Sequence, residues 1–248
     1  MAELYGLTIP ECKLIELDKA AIQTQLSILC ETGNTRTQKG ASQLTETINK
    51  TPANYLFLMK FFVGSGLDSI DSNTQKLELF GQKKFLKSLG YALPFDAWIC
   101  NGDRFRTINP DLSANPGNMI MDQTGEFIAI DNGINALQFV AGYEEFTPDF
   151  YHDIFRDIVT AVSKGNREAI KAFARDIAQS LLVDCPKLKL RPDQTQCIED
   201  GIIAGVLQIK ELKKDDIMAI YSVIPRDSGI TNSDLHIILN GLLIARED

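Results

Sequence analysis

Two short apolar runs, Met119–Met121 and Phe127–Ile130, are separated by the polar pentapeptide Asp122-Gln123-Thr124-Gly125-Glu126. Runs this short cannot show a helical stripe, and a Gly among polar residues fits the connection of a β-hairpin. A hairpin folds the chain back on itself. It therefore brings the residue before its first strand, Asn118, beside the residue after its second, Asp131, although thirteen positions separate them. Upstream, Asn101-Gly102-Asp103-Arg104 adds an acid in a loop. Loop acid, amide, hairpin and second acid together supply one group to hold an acceptor hydroxyl and two hard oxygen ligands for Mg²⁺, the parts that phosphoryl transfer needs.

Each of these residues also has a plainer reading. Asp-Gly, Asn-Pro and Asp-Asn-Gly usually mark turns, because short polar side chains cap local amides and Gly accepts a positive φ. Their order around a hairpin makes Asp103, Asn118 and Asp131 candidates for a site. Asp131 would bridge Mg²⁺ to phosphate oxygens, Asn118 would add its side-chain oxygen, and Asp103 would orient the acceptor hydroxyl and receive its proton. Arg104, grouped with Asp103 in the catalytic turn, either braces the loop by pairing with a carboxylate or is a surface base. Asn115 is a second amide near Asn118, and which of the two meets the metal is open.

The rest of the chain divides by pattern. Gly6-Leu7-Thr8-Ile9-Pro10 reads as a turn entering an extended segment at Lys13–Leu17, and residues 19–32 fit a second extended segment or a short helix. The polar stretch Glu31–Pro52 is expected to be a surface loop. Leu56–Val63 is an apolar run interrupted by Lys60 and followed by a flexible Gly64-Ser65-Gly66. Leu77–Leu89 has helical spacing with Gly90 as its stop, and a second apolar stretch, Tyr91–Cys100, delivers the chain to Asp103.

Beyond Gly133 the period changes. Tyr151–Val162, Arg167–Leu182, Gln194–Leu212 and Leu235–Ala245 repeat apolar residues every three or four positions and predict packed helices, with Asp149, Asn166 and Ser233 as N-caps. The expected fold class is α+β: residues 1–70 form a reduced amino-terminal or linker region with short strands, and residues 71–248 a mostly helical lobe carrying the hairpin.

Among 248 residues, 44% are hydrophobic, enough to fill a core. The formal charge of -8 argues against nucleic-acid binding, since no extended Lys/Arg field is available to displace counterions. Cys12, Cys30, Cys100, Cys185 and Cys197 show no CxxC spacing, and two histidines, His152 and His236, cannot build a histidine-rich zinc centre. Scattered core or surface thiols, structural or surface histidines and a core Trp98 are expected. No apolar run approaches the ~20 residues that span a bilayer, and the start carries no signal-peptide pattern, so no membrane partner and a cytoplasmic location are expected.

With Asn101-Gly102-Asp103-Arg104-Phe105, Asn115-Pro116-Gly117-Asn118-Met119-Ile120 and Ala129-Ile130-Asp131-Asn132, the chain resembles the actin-fragmin kinase catalytic domain family, an atypical branch of the protein-kinase-like fold. The resemblance covers about residues 75–135. HipA-like kinases and phosphoinositide kinases share the same broad order. In ordinary protein kinases the catalytic Asp and metal-binding Asn lie about five positions apart, whereas this family carries an inserted loop, as between Asp103 and Asn118 here. The resemblance implies Asp103 as catalytic Asp, Asn118 as metal-binding Asn, and Asp131 in Asp131-Asn132-Gly133 as counterpart of the Asp in the kinase Asp-Phe-Gly element. ATP and Mg²⁺ are the implied cofactors.

The implied activity is ATP-dependent phosphorylation of a Ser or Thr hydroxyl on a protein. An inactive kinase-like interaction module and a small-molecule kinase whose acidic lobe receives a cationic metabolite are the competing readings. No GxGxxG and no Val-Ala-Ile-Lys-like strand precede the catalytic turn. Lys60 is the one base in a convincing strand-like run, so it is the candidate phosphate anchor, with a strand-edge base as the plainer alternative; Lys13 and Lys19 are weaker candidates. The expectation is an amino-terminal lobe that is reduced or missing, which leaves open a reduced kinase, a fragment, half of a split enzyme whose partner supplies the missing elements, or an inactive relative that retained the nucleotide-binding turn.

Overall fold

The computed structural model describes residues 2–16, 18–50, 55–60, 64–67, 78–105, 108, 115–122, 124–131, 148–181 and 190–219. The helix expected at Leu235–Ala245, its Ser233 cap, His236, Cys185 and Asn132-Gly133 lie outside them, as do the side chains of Cys12, Lys13 and His152. In chain order the elements are α1 (Ala2–Tyr5), β1 (Cys12–Glu16), α2 (Lys19–Thr32), α3 (Thr35–Lys50), β2 (Tyr55–Met59), β3 (Gly64–Gly66), α4 (Lys83–Trp98), β4 (Met119–Asp122), β5 (Phe127–Ala129), α5 (Pro148–Ser163), α6 (Arg167–Leu181), α7 (Pro192–Glu211) and α8 (Lys214–Ala219). They fall into two compact units, Glu11–Phe61 and Met1–Pro10 with Phe62–Asp248. Residues 1–70 are thus shared between the two.

In the smaller unit β1 and β2 pair antiparallel, with Cys12 opposite Met59 and Glu16 opposite Tyr55. Asp18 caps α2 by accepting the Ala21 N–H at 3.0 Å. The surface loop expected over Glu31–Pro52 is corrected, because α3 occupies most of it. Asn34 starts this helix by accepting the Thr37 N–H at 3.0 Å. Ala41 and Ile48, two turns apart, bury a narrow seam with Leu26, flanked by Ile22 and Cys30. Polar residues fill the other faces, which is why polarity concealed the period.

The larger unit is built on α4 and α7. Phe85, Leu86, Leu89, Leu93, Phe95 and Trp98 of α4 are fully buried, as are Ile198, Ile202 and Val206 of α7. Each such side chain contributes about 1.5–3 kcal/mol by leaving water. Gly90 is no helix stop: α4 runs through it and through Pro94 to Trp98, absorbing the expected Tyr91–Cys100 stretch. A methyl group at Gly90 would land on the Ile198 carbonyl, and one at Gly201 on the Lys87 carbonyl. Glycine here lets two helix backbones touch.

Phe155 and Ile158 of α5 and Ile170, Ala174 and Ile177 of α6 complete this core. Asn166 caps α6 through the Ala169 N–H at 3.2 Å, as expected. The Asp149 cap is corrected, since α5 begins at Pro148, a residue pre-set for a first helical turn, and Asp149 lies inside that turn. Gln194 closes the start of α7, accepting the Arg191 N–H and donating to the Phe80 carbonyl, each at 2.7 Å.

The amino-terminal decapeptide is stapled to this unit. The Tyr5 hydroxyl donates to the Tyr91 carbonyl at 2.6 Å, and the Tyr91 hydroxyl donates to the Tyr5 carbonyl at 2.7 Å. The Thr8 carbonyl then accepts the Ala129 N–H at 3.0 Å, laying the segment along β5. Strands β3, β4 and β5 form an antiparallel sheet in that order, with Ser65 opposite Met121 and Ile120 opposite Ile128. Gly64-Ser65-Gly66, expected to be flexible, is its edge strand. Gly64 lets the backbones approach, because a methyl there would stand 2.5 Å from the Met121 carbonyl. The carboxyl-terminal region is therefore mostly helical with a small β-hairpin, within the α+β class expected. Among the described residues no helix is long and apolar enough to cross a membrane.

Candidate active site

Helix α4 ends in a reversal that delivers the first candidate residues. The Asn101 N–H bonds back to the Asp96 carbonyl at 2.8 Å, and Cys100 takes the left-handed conformation at φ 58°. Asn101 and Arg104 consequently fold against the last turn of the helix, where both meet Asp96. Burial pushes the Cys100 thiol up to about 12, so it is inert as a nucleophile at neutral pH.

The hairpin forms as its residues predict. Asp122 Oδ1 accepts the Thr124 N–H at 2.8 Å, the Thr124 hydroxyl at 2.7 Å and the Glu126 N–H at 2.8 Å, and Gly125 supplies φ 77°. With Met119 opposite Ala129, Asn118 stands opposite Ile130 and accepts its N–H at 3.2 Å. Asp131 is the next residue along the chain.

Asp103 ties the loop to the hairpin. Its carbonyl accepts the Asn115 N–H at 2.9 Å. Its Oδ2 accepts Nδ2 of Asn115 at 3.1 Å and Nδ2 of Asn118 at 2.6 Å. An ionised carboxylate only accepts, so both amides turn their NH₂ toward it and their oxygens elsewhere. The Asn115 oxygen is taken by the Gly117 N–H at 3.2 Å, capping the 3₁₀ turn Pro116–Asn118. Among the described residues the Asn118 oxygen receives no hydrogen bond. Of the two amides, Asn118 is the one that presents an oxygen.

Two further residues complete the arrangement. Asp96 and Arg104 are fully buried, and the Arg104 guanidinium donates to both Asp96 oxygens, at 2.5 and 2.6 Å, and to the Ile130 carbonyl at 2.9 Å. This burial supports the bracing role for Arg104. Burial pushes the Asp96 carboxyl up to about 6, Arg104 and Asn101 pull against that rise, and the charge of Asp103 adds to it. Asn101, 5% exposed, donates to Asp96 at 3.3 Å and to the Asp131 carbonyl at 3.4 Å, and accepts the Asp103 N–H at 3.3 Å.

Asp96 was missed by sequence reasoning, although a signal existed: it is the lone charge in the apolar stretch Tyr91–Cys100, and such a charge survives burial only when paired. Asn101 stood in the turn motif without a role. Asp131 itself is exposed, with its backbone at φ 52°.

Lys60 belongs to the smaller unit. It continues the β1–β2 ladder through its N–H to the Glu11 carbonyl at 2.8 Å, and its exposed ammonium pairs with the Glu11 carboxylate at 3.2 Å. Lys19 opens α2 on the same unit. Trp98 is fully buried in the α4 core, as expected. Among the described residues Cys30, Cys100 and Cys197 are free thiols.

Comparison with known proteins returns one finding. The model of the family described as "Actin-fragmin kinase, catalytic" matches residues 1–206. No curated protein and no solved structure matches.

Proposed function

The chain belongs to the actin-fragmin kinase catalytic family, and from that premise we propose that it is an ATP-dependent phosphotransferase of protein-kinase-like fold that phosphorylates a Ser or Thr hydroxyl of a protein. The observation that carries the reading is the double acceptance at Asp103: one carboxylate oxygen holds the Asn115 and Asn118 amides, so the loop acid and the hairpin amide share one neighbourhood.

The acceptor hydroxyl would donate to Asp103, which receives its proton as the hydroxyl oxygen bonds to phosphorus and the bond from phosphorus to the departing nucleotide oxygen breaks. Asn118 and Asp131 would hold Mg²⁺. The donor set fits, since both are hard oxygen donors and the Asn118 oxygen is turned away from Asp103. Bound Mg²⁺ supplies positive charge against the charge carried by the phosphates. Among the described residues no three His, Cys, Asp or Glu side chains gather as a metal cluster. Lys60 is the proposed phosphate anchor, and a cytoplasmic location goes with this activity.

Titrating the purified full-length protein with Mg²⁺ and ATP, while following nucleotide binding and γ-phosphate transfer together, tests the proposal. Asp103→Ala should lower transfer about 10²–10⁴-fold with ATP still bound, and Asp131→Ala should abolish the Mg²⁺-dependent turnover. Lys60→Met should raise the KM for ATP. Transfer that survives both aspartate substitutions would sink the mechanism. Absence of transfer, with partner binding indifferent to both, would favour the interaction module.

A further inference from the structure

We propose that Asn101 and Arg104 are positioning residues that hold the two peptide groups flanking Asp131 and thereby set the direction of its carboxylate. The proposal rests on the reading of Asp131 as a metal ligand and assigns to neighbouring side chains the task of aiming it.

A non-glycine residue at φ 52° sits in a small, costly region of backbone space and persists there only where its surroundings over-determine it. On the amino-terminal side of Asp131, the Ile130 N–H is held by the Asn118 carbonyl and the Ile130 carbonyl by Arg104. On the carboxyl-terminal side, the Asp131 carbonyl is held by Asn101. The φ and ψ of Asp131 together relate these two peptide groups, and its side chain leaves from the Cα between them. Gripping both peptides therefore sets the direction in which the Asp131 side chain leaves the backbone, from which its rotamers place the carboxylate.

The grip is itself braced. Both oxygens of Asp96 engage one nitrogen of the Arg104 fork, so the other faces the Ile130 carbonyl. The Asn101 amide reaches both acids: its nitrogen meets the backbone of Asp131 and its oxygen the N–H of Asp103. The contacts of Asn101 are long, 3.3–3.4 Å, as suits one amide shared among three partners. One side chain thus ties the backbone of Asp131 to that of Asp103.

The test uses Asn101→Ala in the full-length chain, with Asn101→Ser as the second variant should alanine not fold. Two readouts are made: hydrogen exchange at the Asp103 amide without ligand, and the Mg²⁺ concentration giving half-maximal phosphate transfer from ATP. The expected result is exchange at least about 10-fold faster at Asp103 and a Mg²⁺ requirement raised about 10–100-fold, with maximal transfer restored by excess Mg²⁺. Asp131→Ala should not be restored, because there the ligand itself is gone. A folded variant with wild-type exchange and a wild-type Mg²⁺ requirement overturns the positioning role of Asn101, as does a defect that excess Mg²⁺ leaves untouched. If the wild-type protein transfers no phosphate, the phosphotransferase reading falls, whereas the exchange measurement still decides whether Asn101 holds the backbone at Asp103.

Discussion

The larger and the smaller unit each carry a glycine in the middle of a helix, and the two glycines stand in opposite surroundings. At Gly90 the helix backbone rests on the Ile198 carbonyl of its neighbour, with no room for a methyl group. At Gly40 nothing lies within 4 Å of where a methyl would stand. The first glycine serves a crossing between α4 and α7 whose contacts have no slack; the second only weakens the helix that carries it. The lesson is that one residue type reports opposite things according to what packs against it. The larger core is held by interlocked backbone and side chains, while the α2–α3 seam rests on Leu26, Ala41 and Ile48, with Ile28, Leu29 and Leu44 left substantially exposed.

Breaking that contrast should give its largest effect at Gly90. Gly90→Val should destabilise the larger unit by about 3 kcal/mol or more, at or beyond the upper end of overpacking costs, seen as a lowered denaturant midpoint. Wild-type stability in that variant would mean that the α4–α7 crossing is looser than described.

Next comes the buried pair beneath the candidate site. The Asp96 carboxyl is raised in the folded chain to about 6, above its unfolded value near 4. Its contribution to stability is therefore fully present below about pH 4 and is lost as pH rises through about 6. The unfolding free energy of wild type minus that of an Asp96→Leu, Arg104→Met double variant should fall over that interval. A rise would show that Arg104 outweighs burial at Asp96.

Sharpening the contrast, Gly40→Ala should stabilise α3 by about 1 kcal/mol, the helix-propensity difference, because the added methyl meets nothing. Thermal melts of the whole chain and of hydrogen exchange within α3 measure it, and destabilisation would mean that α3 packs more closely than the structure shows.

The smallest effect belongs to the exposed pair of Lys84 and Glu126, 2.9 Å apart. Lys84 and then Thr8 hold the Glu126 carboxyl below its usual range, so this contribution is present above the unfolded value and is lost as pH falls through the folded one. Lys84→Met should cost at most about 0.5 kcal/mol at pH 7 and nothing measurable in high salt. A larger loss in a denaturant melt would assign Lys84 a packing role.

Much of the molecule was legible where the cause was local. The hairpin followed from two short apolar runs and a connection in which Asp122 and Gly125 supply the turn, and α5 to α7 followed from stripes every three or four residues. Asn166 was legible as a cap because its task lies three residues away. Helix α3 was not, since only Ala41 and Ile48 of its sixteen residues are buried and that seam has meaning only beside α2. Gly90 was misleading for the same reason: whether a glycine ends a helix or lets another helix touch it depends on a partner more than a hundred positions away. At the candidate site the kinds of residue and their order were legible. Asn115 and Asn118 were separable only once hydrogen-bond directions at Asp103 showed which oxygen was already engaged.

From the order of residues alone came the hairpin, the helical stripes beyond it, and the acids and amides placed at their ends, because periodicity and turn chemistry act within a few positions of the chain. The folded structure alone decided that α4 runs unbroken through Gly90, that Asp96 and Arg104 are buried against each other, and that Asn101 reaches the backbones of both Asp103 and Asp131. Those outcomes depend on which distant groups exclude water from one another and satisfy one another's hydrogen bonds, and no local pattern encodes that.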